Sequence, residues 1–99
     1  MATKSSRVKA VNPVTLFKVL ADANRYKAIQ LLAEARKGLL VSEVAGTLKM
    51  GHSATSHLLG LLNTMDVVSF QKEGRTVRYS LAKSPAAKIV TNLLRASSK

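Results

Sequence analysis

Apolar residues recur at helical spacing through most of the chain and switch once to strict alternation. The best-defined helical stripe is Thr55, Leu58, Leu59, Leu62 and Met65, which predicts a helix with one inward face. A shorter helical segment, residues 42–48, precedes it across Lys49-Met50-Gly51. Short helix, tight turn and longer helix make a helix-turn-helix pattern. Over residues 67–81 the period falls to two. Val68, Phe70 and Lys72 alternate with Ser69 and Gln71, and Val77, Tyr79 and Leu81 alternate with Arg78 and Ser80. That pattern predicts a hairpin of half-buried strands. Lys72-Glu73-Gly74-Arg75 is the expected turn, with Gly74 free to take a positive φ.

The flanks read as helices. Asn12-Pro13 starts one, with Asn as N-cap and Pro at the first helical position. Val14, Phe17, Leu20 and Ala21 follow as its stripe, and Leu16 and Val19 are apolar too. Asp22 or Asn24 then caps a second helix running to Arg36, with Ala28, Ile29, Leu32 and Ala35 on one side. Gly38 suits the position just past its end. Leu39-Leu40-Val41 is a short apolar link, suited to pairing with the hairpin as a minor strand. Ser84-Pro85 starts the last helix, striped by Ala86, Ile89, Val90, Leu93 and Leu94. The expected fold is mainly α with a β-hairpin wing, a winged helix-turn-helix in the order α-α-α-α-β-β-α. Residues 1–10 read as a basic polar tail, mobile in the free protein, and residues 11–99 as one domain.

The first and last helices carry more apolar surface than one small core covers. A helix with such a stripe must pack on something. The expected arrangement is a homodimer joined through Val14, Phe17, Leu20, Ile89, Val90, Leu93 and Leu94. The alternative is that both helices pack inside the monomer.

Charge narrows the partner. Among 99 residues, sixteen Lys and Arg against five Asp and Glu give +11. After Glu73 there is no acid, while Arg75, Arg78, Lys83, Lys88, Arg95 and Lys99 follow. That balance implies a polyanion, either nucleic acid or an anionic membrane surface. No apolar run approaches the roughly 18 residues of a spanning helix, and no secretory h-region opens the chain. With no cysteine there is no disulfide, thiolate ligand or thiol switch, which fits a cytoplasmic protein.

The longer helix of the motif presents His52, Ser53, Ser56, His57, Gly60, Asn63 and Thr64 opposite its apolar stripe. This face is short-chained, polar and free of Lys, Arg, Asp and Glu. A merely solvated face usually carries Lys and Glu, whereas short donors and acceptors suit a helix lying close to base edges in the major groove. His52, Ser53, Ser56 and His57 are the candidate base contacts. Lys49, Lys72, Arg75 and Arg78, gathered at the motif turn and the hairpin tip, are the candidate phosphate contacts. The plain alternative for the tip is a solvated charged turn. His52 and His57 are the only histidines; their spacing rotates them about 140° apart on a helix, a poor arrangement for a shared metal. The five carboxylates are scattered, and no nucleophile set or phosphate-cradling glycine loop accompanies them. The chain therefore does not read as an enzyme, and no cofactor is implied.

Three segments carry a resemblance. Leu20-Ala-Asp-Ala-Asn-Arg25, Leu48-Lys-Met-Gly-His-Ser-Ala-Thr-Ser-His-Leu-Leu-Gly-Leu-Leu62 and Glu73-Gly-Arg-Thr-Val-Arg-Tyr-Ser-Leu81 together resemble the ArsR/SmtB winged-helix repressors. The likeness covers about residues 16–94. It implies a winged α-helical fold, a homodimer joined through first and last helices, a palindrome-like operator, and repression often relieved by a metal ion. Departures are specific. The family's frequent Cys-x-Cys pair falls here on Leu40 and Ser42, and residues 84–99 contain no Asp, His or Glu. Both usual sensor sites thus lack ligands, and no metal is expected. A His common in the family's recognition helix is Leu58 here, and a usual Lys or Arg is Gly60, which bears on base preference rather than fold.

The expected function is a homodimeric, sequence-specific repressor of double-stranded DNA. The alternatives are a winged-helix protein–protein module and a sequence-independent architectural nucleic-acid binder.

Overall fold

The computed structural model describes residues 14, 18 and 21–97. Val14 and Lys18 are both helical; the tail at residues 1–10, the Asn12-Pro13 start, Phe17 and Leu20 lie outside the described residues. Asp22 is the cap of helix α1 (Ala23–Glu34), its carboxylate accepting from the N–H groups of Asn24 at 2.9 Å and Arg25 at 3.1 Å. This satisfies donors that a helix start leaves orphaned. The helix ends at Glu34, short of the expected Arg36, because Ala35 leaves helical geometry at ψ 83°. Gly38 follows with φ 84°.

Leu39–Leu40 forms β1 and feeds directly into α2 (Val41–Leu48). No side chain of Leu40 can cap that helix, but the Glu43 carboxylate accepts from the Leu40 N–H at 2.8 Å, half of a capping box. The turn after α2 closes around Lys49 in the left-handed region, φ 57°. Met50 N–H donates to Ala45 C=O at 3.0 Å and Lys49 N–H to Gly46 C=O at 3.3 Å, the paired bonds of a Schellman ending. Helix α3 (His52–Thr64) ends the same way around Asp66, φ 66°, with Val67 N–H on Leu62 C=O at 3.0 Å and Asp66 N–H on Asn63 C=O at 2.9 Å.

Strands β2 (Val68–Glu73) and β3 (Thr76–Leu81) form the hairpin, and helix α4 (Pro85–Ser97) follows. The short apolar link does pair: Leu39 lies opposite Tyr79 and Leu40 opposite Arg78, completing a three-stranded antiparallel sheet in the order β1-β3-β2. The described residues thus contain four complete helices and this sheet, the winged helix-turn-helix arrangement expected.

One core joins the elements: Ile29 and Leu32 of α1, Val44 of α2, Leu59 and Leu62 of α3, Val67 and Val68 at the hairpin base, and Val90 of α4. Two expectations change here. The hairpin turn is tighter than four residues, since Glu73 pairs with Thr76 and leaves only Gly74 and Arg75 between the strands. Strand β2 is not half-buried; beyond Val68 every residue is exposed, because the core reaches only the base of the wing. Among the described residues no helix is long and apolar enough to cross a membrane.

Candidate nucleic-acid interface

Helix α3 is seated by its apolar stripe. Leu59 and Leu62 are fully buried, and so is Thr55, whose hydroxyl donates to Gly51 C=O at 2.9 Å. This anchors the first turn against the core and turns the opposite face outward. His52, Ser53, Ser56 and His57 are all exposed. Among the described residues, none of their side chains holds a hydrogen bond to the protein.

Two members of the expected polar face are already engaged. The Asn63 side-chain amide donates to Val68 C=O at 2.9 Å, and Thr64 Oγ1 donates to Gly60 C=O at 3.0 Å. Asn63 therefore ties α3 to the base of the wing. Nothing in the residue type announces this, since the partner is a backbone carbonyl offered only after the chain turns at Asp66.

The wing splits the expected basic cluster. In the strand register Lys72 pairs with Val77 and Arg78 with Gln71; adjacent pairs project to opposite faces, so Lys72 and Arg78 lie on different sides. Arg78 Nε donates to Glu73 Oε2 at 2.9 Å, and its Nη1 reaches Gly38 C=O at 3.4 Å. The hydrogen bond with Glu73 is the main reason its pKa is raised above the ordinary guanidinium value. Arg78 is thus a brace between wing and sheet. Lys49, Lys72 and Arg75 remain exposed, and no ion pair involves them among the described residues.

Helix and wing meet in one groove. His52 and Ser56 of α3, Arg75 and Thr76 of the wing, and Ser42 of α2 line an open cavity of about 180 Å³ floored by Val77 and Tyr79. Hydrogen-bonding side chains and a free guanidinium thus share a single concave surface. Ser42, noted in the sequence only as a vacant cysteine position and not as a contact, belongs to it, because β1 pairing brings the start of α2 beside β3. Tyr79 is buried, and desolvation raises its phenol pKa. Among the described residues no three His, Cys, Asp or Glu side chains lie close enough to share a metal ion.

Comparison with known proteins places this geometry. No family model matches the chain. It is 39% identical over 66 residues to a transcriptional repressor SmtB homolog from Synechocystis, covering 67% of the chain and 48% of that protein. Its fold matches HlyU from Vibrio cholerae with a TM-score of 0.70 at 28% identity, over 97% of the chain and 98% of HlyU. The chain belongs to the ArsR/SmtB family of winged helix-turn-helix transcriptional regulators. The fold of this ArsR/SmtB member also matches a homodimeric winged helix-turn-helix DNA-binding domain from Mycobacterium bovis, with a TM-score of 0.74 at 22% identity, over 95% of the chain and 83% of that domain. It spans about half the length of the curated relatives it matches, 48% and 54%. The family is one of regulators rather than enzymes, in line with the scattered carboxylates.

The expected interface residues of the last helix divide. Val90 is 1% exposed and belongs to the core of its own chain. Leu94 is half-buried and packs against that core. Ile89 and Leu93 stand out at 40% and 38% exposure, and Val14 at 61%.

Proposed function

We propose that this chain is a sequence-specific DNA-binding repressor that acts as a homodimer on a palindrome-like operator and has no metal sensor. The groove shared by Ser56, His52 and Arg75 carries the reading. It sets unbonded short polar side chains beside a free cation, the pairing needed to touch base edges and backbone together. Helix α3 enters the major groove, with His52, Ser53, Ser56 and His57 at base edges. Lys49, Lys72 and Arg75 take phosphates, and Arg78 offers one only the donors that Glu73 and Gly38 leave over.

The name of the Synechocystis relative supports repression as the outcome of binding. Exposed Ile89, Leu93 and Val14 support an apolar contact between two copies. A two-fold dimer reads two half-sites about 34 Å apart, one duplex turn. Leu40 and Ser42 at the family's cysteine positions, and a last helix without Asp, His or Glu, support the absence of metal control. Selection from random duplexes tests the reading: one enriched palindrome is expected. Equal retention of all duplexes would replace it with architectural binding.

A further inference from the structure

Phe70 is 52% exposed on the wing of a strongly basic protein. Its ring packs against Tyr79 at a centroid distance of 5.7 Å, tilted by 50°. Cross-strand aromatic pairs support hairpins, but this one leaves half of a phenyl ring in water. The ring's position gives it a second use. Phe70 shares a strand face with Val68 and Lys72, and buried Val68 and Tyr79 mark that face as the one turned to the core. Helix α3 meets the sheet at two places. Asn63 bonds Val68 C=O at one end, and Ser56 shares the groove with Tyr79 at the other. Phe70, two residues beyond Val68, pairs with and packs on Tyr79, and Tyr79 lines the groove that His52 and Ser56 share. A half-exposed apolar ring thus adjoins a lining residue of the groove that carries Ser56.

We propose that Phe70 is a specificity-determining residue that packs against the 5-methyl group of a thymine in the groove receiving α3. This rests on the DNA-binding reading above. A phenyl ring cannot hold a phosphate. In the major groove the apolar feature that distinguishes one base is the thymine methyl, and Phe is a side chain able to meet it. Lys72, on the same strand face, and Arg75 at the tip draw in the flanking phosphates and so bring a base edge to the ring. The contact adds sequence preference without charge.

The probe is an operator duplex obtained by selection, with each thymine replaced singly by deoxyuridine, which removes only the methyl group. Wild type is expected to lose affinity by about fourfold at one thymine in each half-site, the worth of one buried methyl. Phe70→Ala is expected to bind the unmodified operator more weakly by at least that factor, to ignore uracil at that position, and to keep the wild-type salt slope. Phe70→Tyr keeps the ring and should keep the uracil response. If Phe70→Ala does not fold, Phe70→Thr, a good strand former, is read in its place. Wild-type affinity in the ring-less variant, a retained uracil response, or a flattened salt slope would each overturn the proposal. Failure of the wild type to bind any duplex would instead overturn the DNA-binding reading, and this one with it.

Discussion

Ser56 and Arg75 share one groove yet would meet different parts of a duplex. Phosphate contacts release counterions and carry little sequence information, whereas base contacts do the reverse. Arg75→Ala is therefore expected to weaken specific and random duplexes by similar factors and to flatten the log–log salt dependence by about one unit, one phosphate's share. Ser56→Ala is expected to cost on the order of 1 kcal/mol on the specific site, one hydrogen bond's worth, and almost nothing on random DNA. Affinities of both variants on both duplexes across a salt series check this. Tyr79 sets a different limit. Burial raises its pKa above 10.0 in the folded chain, so the native state holds the phenolic proton where the unfolded state has released it. That stability is complete below about pH 10 and is lost as pH rises through the folded value. Urea unfolding of wild type should weaken above pH 10, and Tyr79→Phe should weaken less.

At the level of elements, the orientation of the wing depends on a few backbone-specific positions. Gly38 sits at φ 84°, and a Cβ there would come within 2.6 Å of Tyr79 C=O. Any side chain would strain the loop and push β1 away from β3. Gly38→Ala is expected to destabilise by about 2 kcal/mol or more, and with β1 displaced the groove beside Ser42 should open. Ser84 is the second such position. Its buried hydroxyl donates to Asp66 C=O, at the end of α3, and accepts from Ala87 N–H at 3.0 Å, at the start of α4. One side chain thus couples the turn after α3 to the start of α4. Ser84→Ala should cost about 1–2 kcal/mol, the upper range of a lost N-cap. Thermal melts of both variants measure these losses.

For the whole molecule the open question is association. The exposed apolar residues Ile89 and Leu93 give α4 a face that its own core does not cover. Leu93 is the clean probe, because Val90 is needed inside the chain and its loss would unfold the monomer. Sedimentation should show a dimer for wild type and a folded monomer for Leu93→Glu; a monomeric wild type would end the proposal. Metal control is the other question at this scale. Zinc, cadmium or arsenite titrated into a preformed complex should leave DNA affinity unchanged, since neither usual ligand set is present in the sequence. Release at stoichiometric metal would reveal a sensor built from other residues.

The end of α1 at Glu34, before the expected Arg36, was not legible in sequence order, whereas the stripe Thr55, Leu58, Leu59, Leu62, a cap at Asp22 or Asn24 and the alternation of the hairpin were. Each depends on neighbours a few residues away, and helical or strand periodicity records such relations directly. The polar outer face of α3 and the basic tip at Arg75 were legible for the same reason. What the chain's order left open was which exposed-looking groups are already taken. Asn63 reads as part of the free face until Val68 C=O arrives beside it. Arg78 reads as a free cation until β1 brings Gly38 C=O across 40 residues of sequence and the hairpin brings Glu73. Val90 and Ile89 are chain neighbours of the same apolar kind, yet one is in the core and the other faces outward. Phe70 alternates correctly and still stays exposed, because the core ends at the base of the wing. Pattern determines which side of an element is apolar; only packing decides how far the core extends along it and which hydrogen bonds are already made.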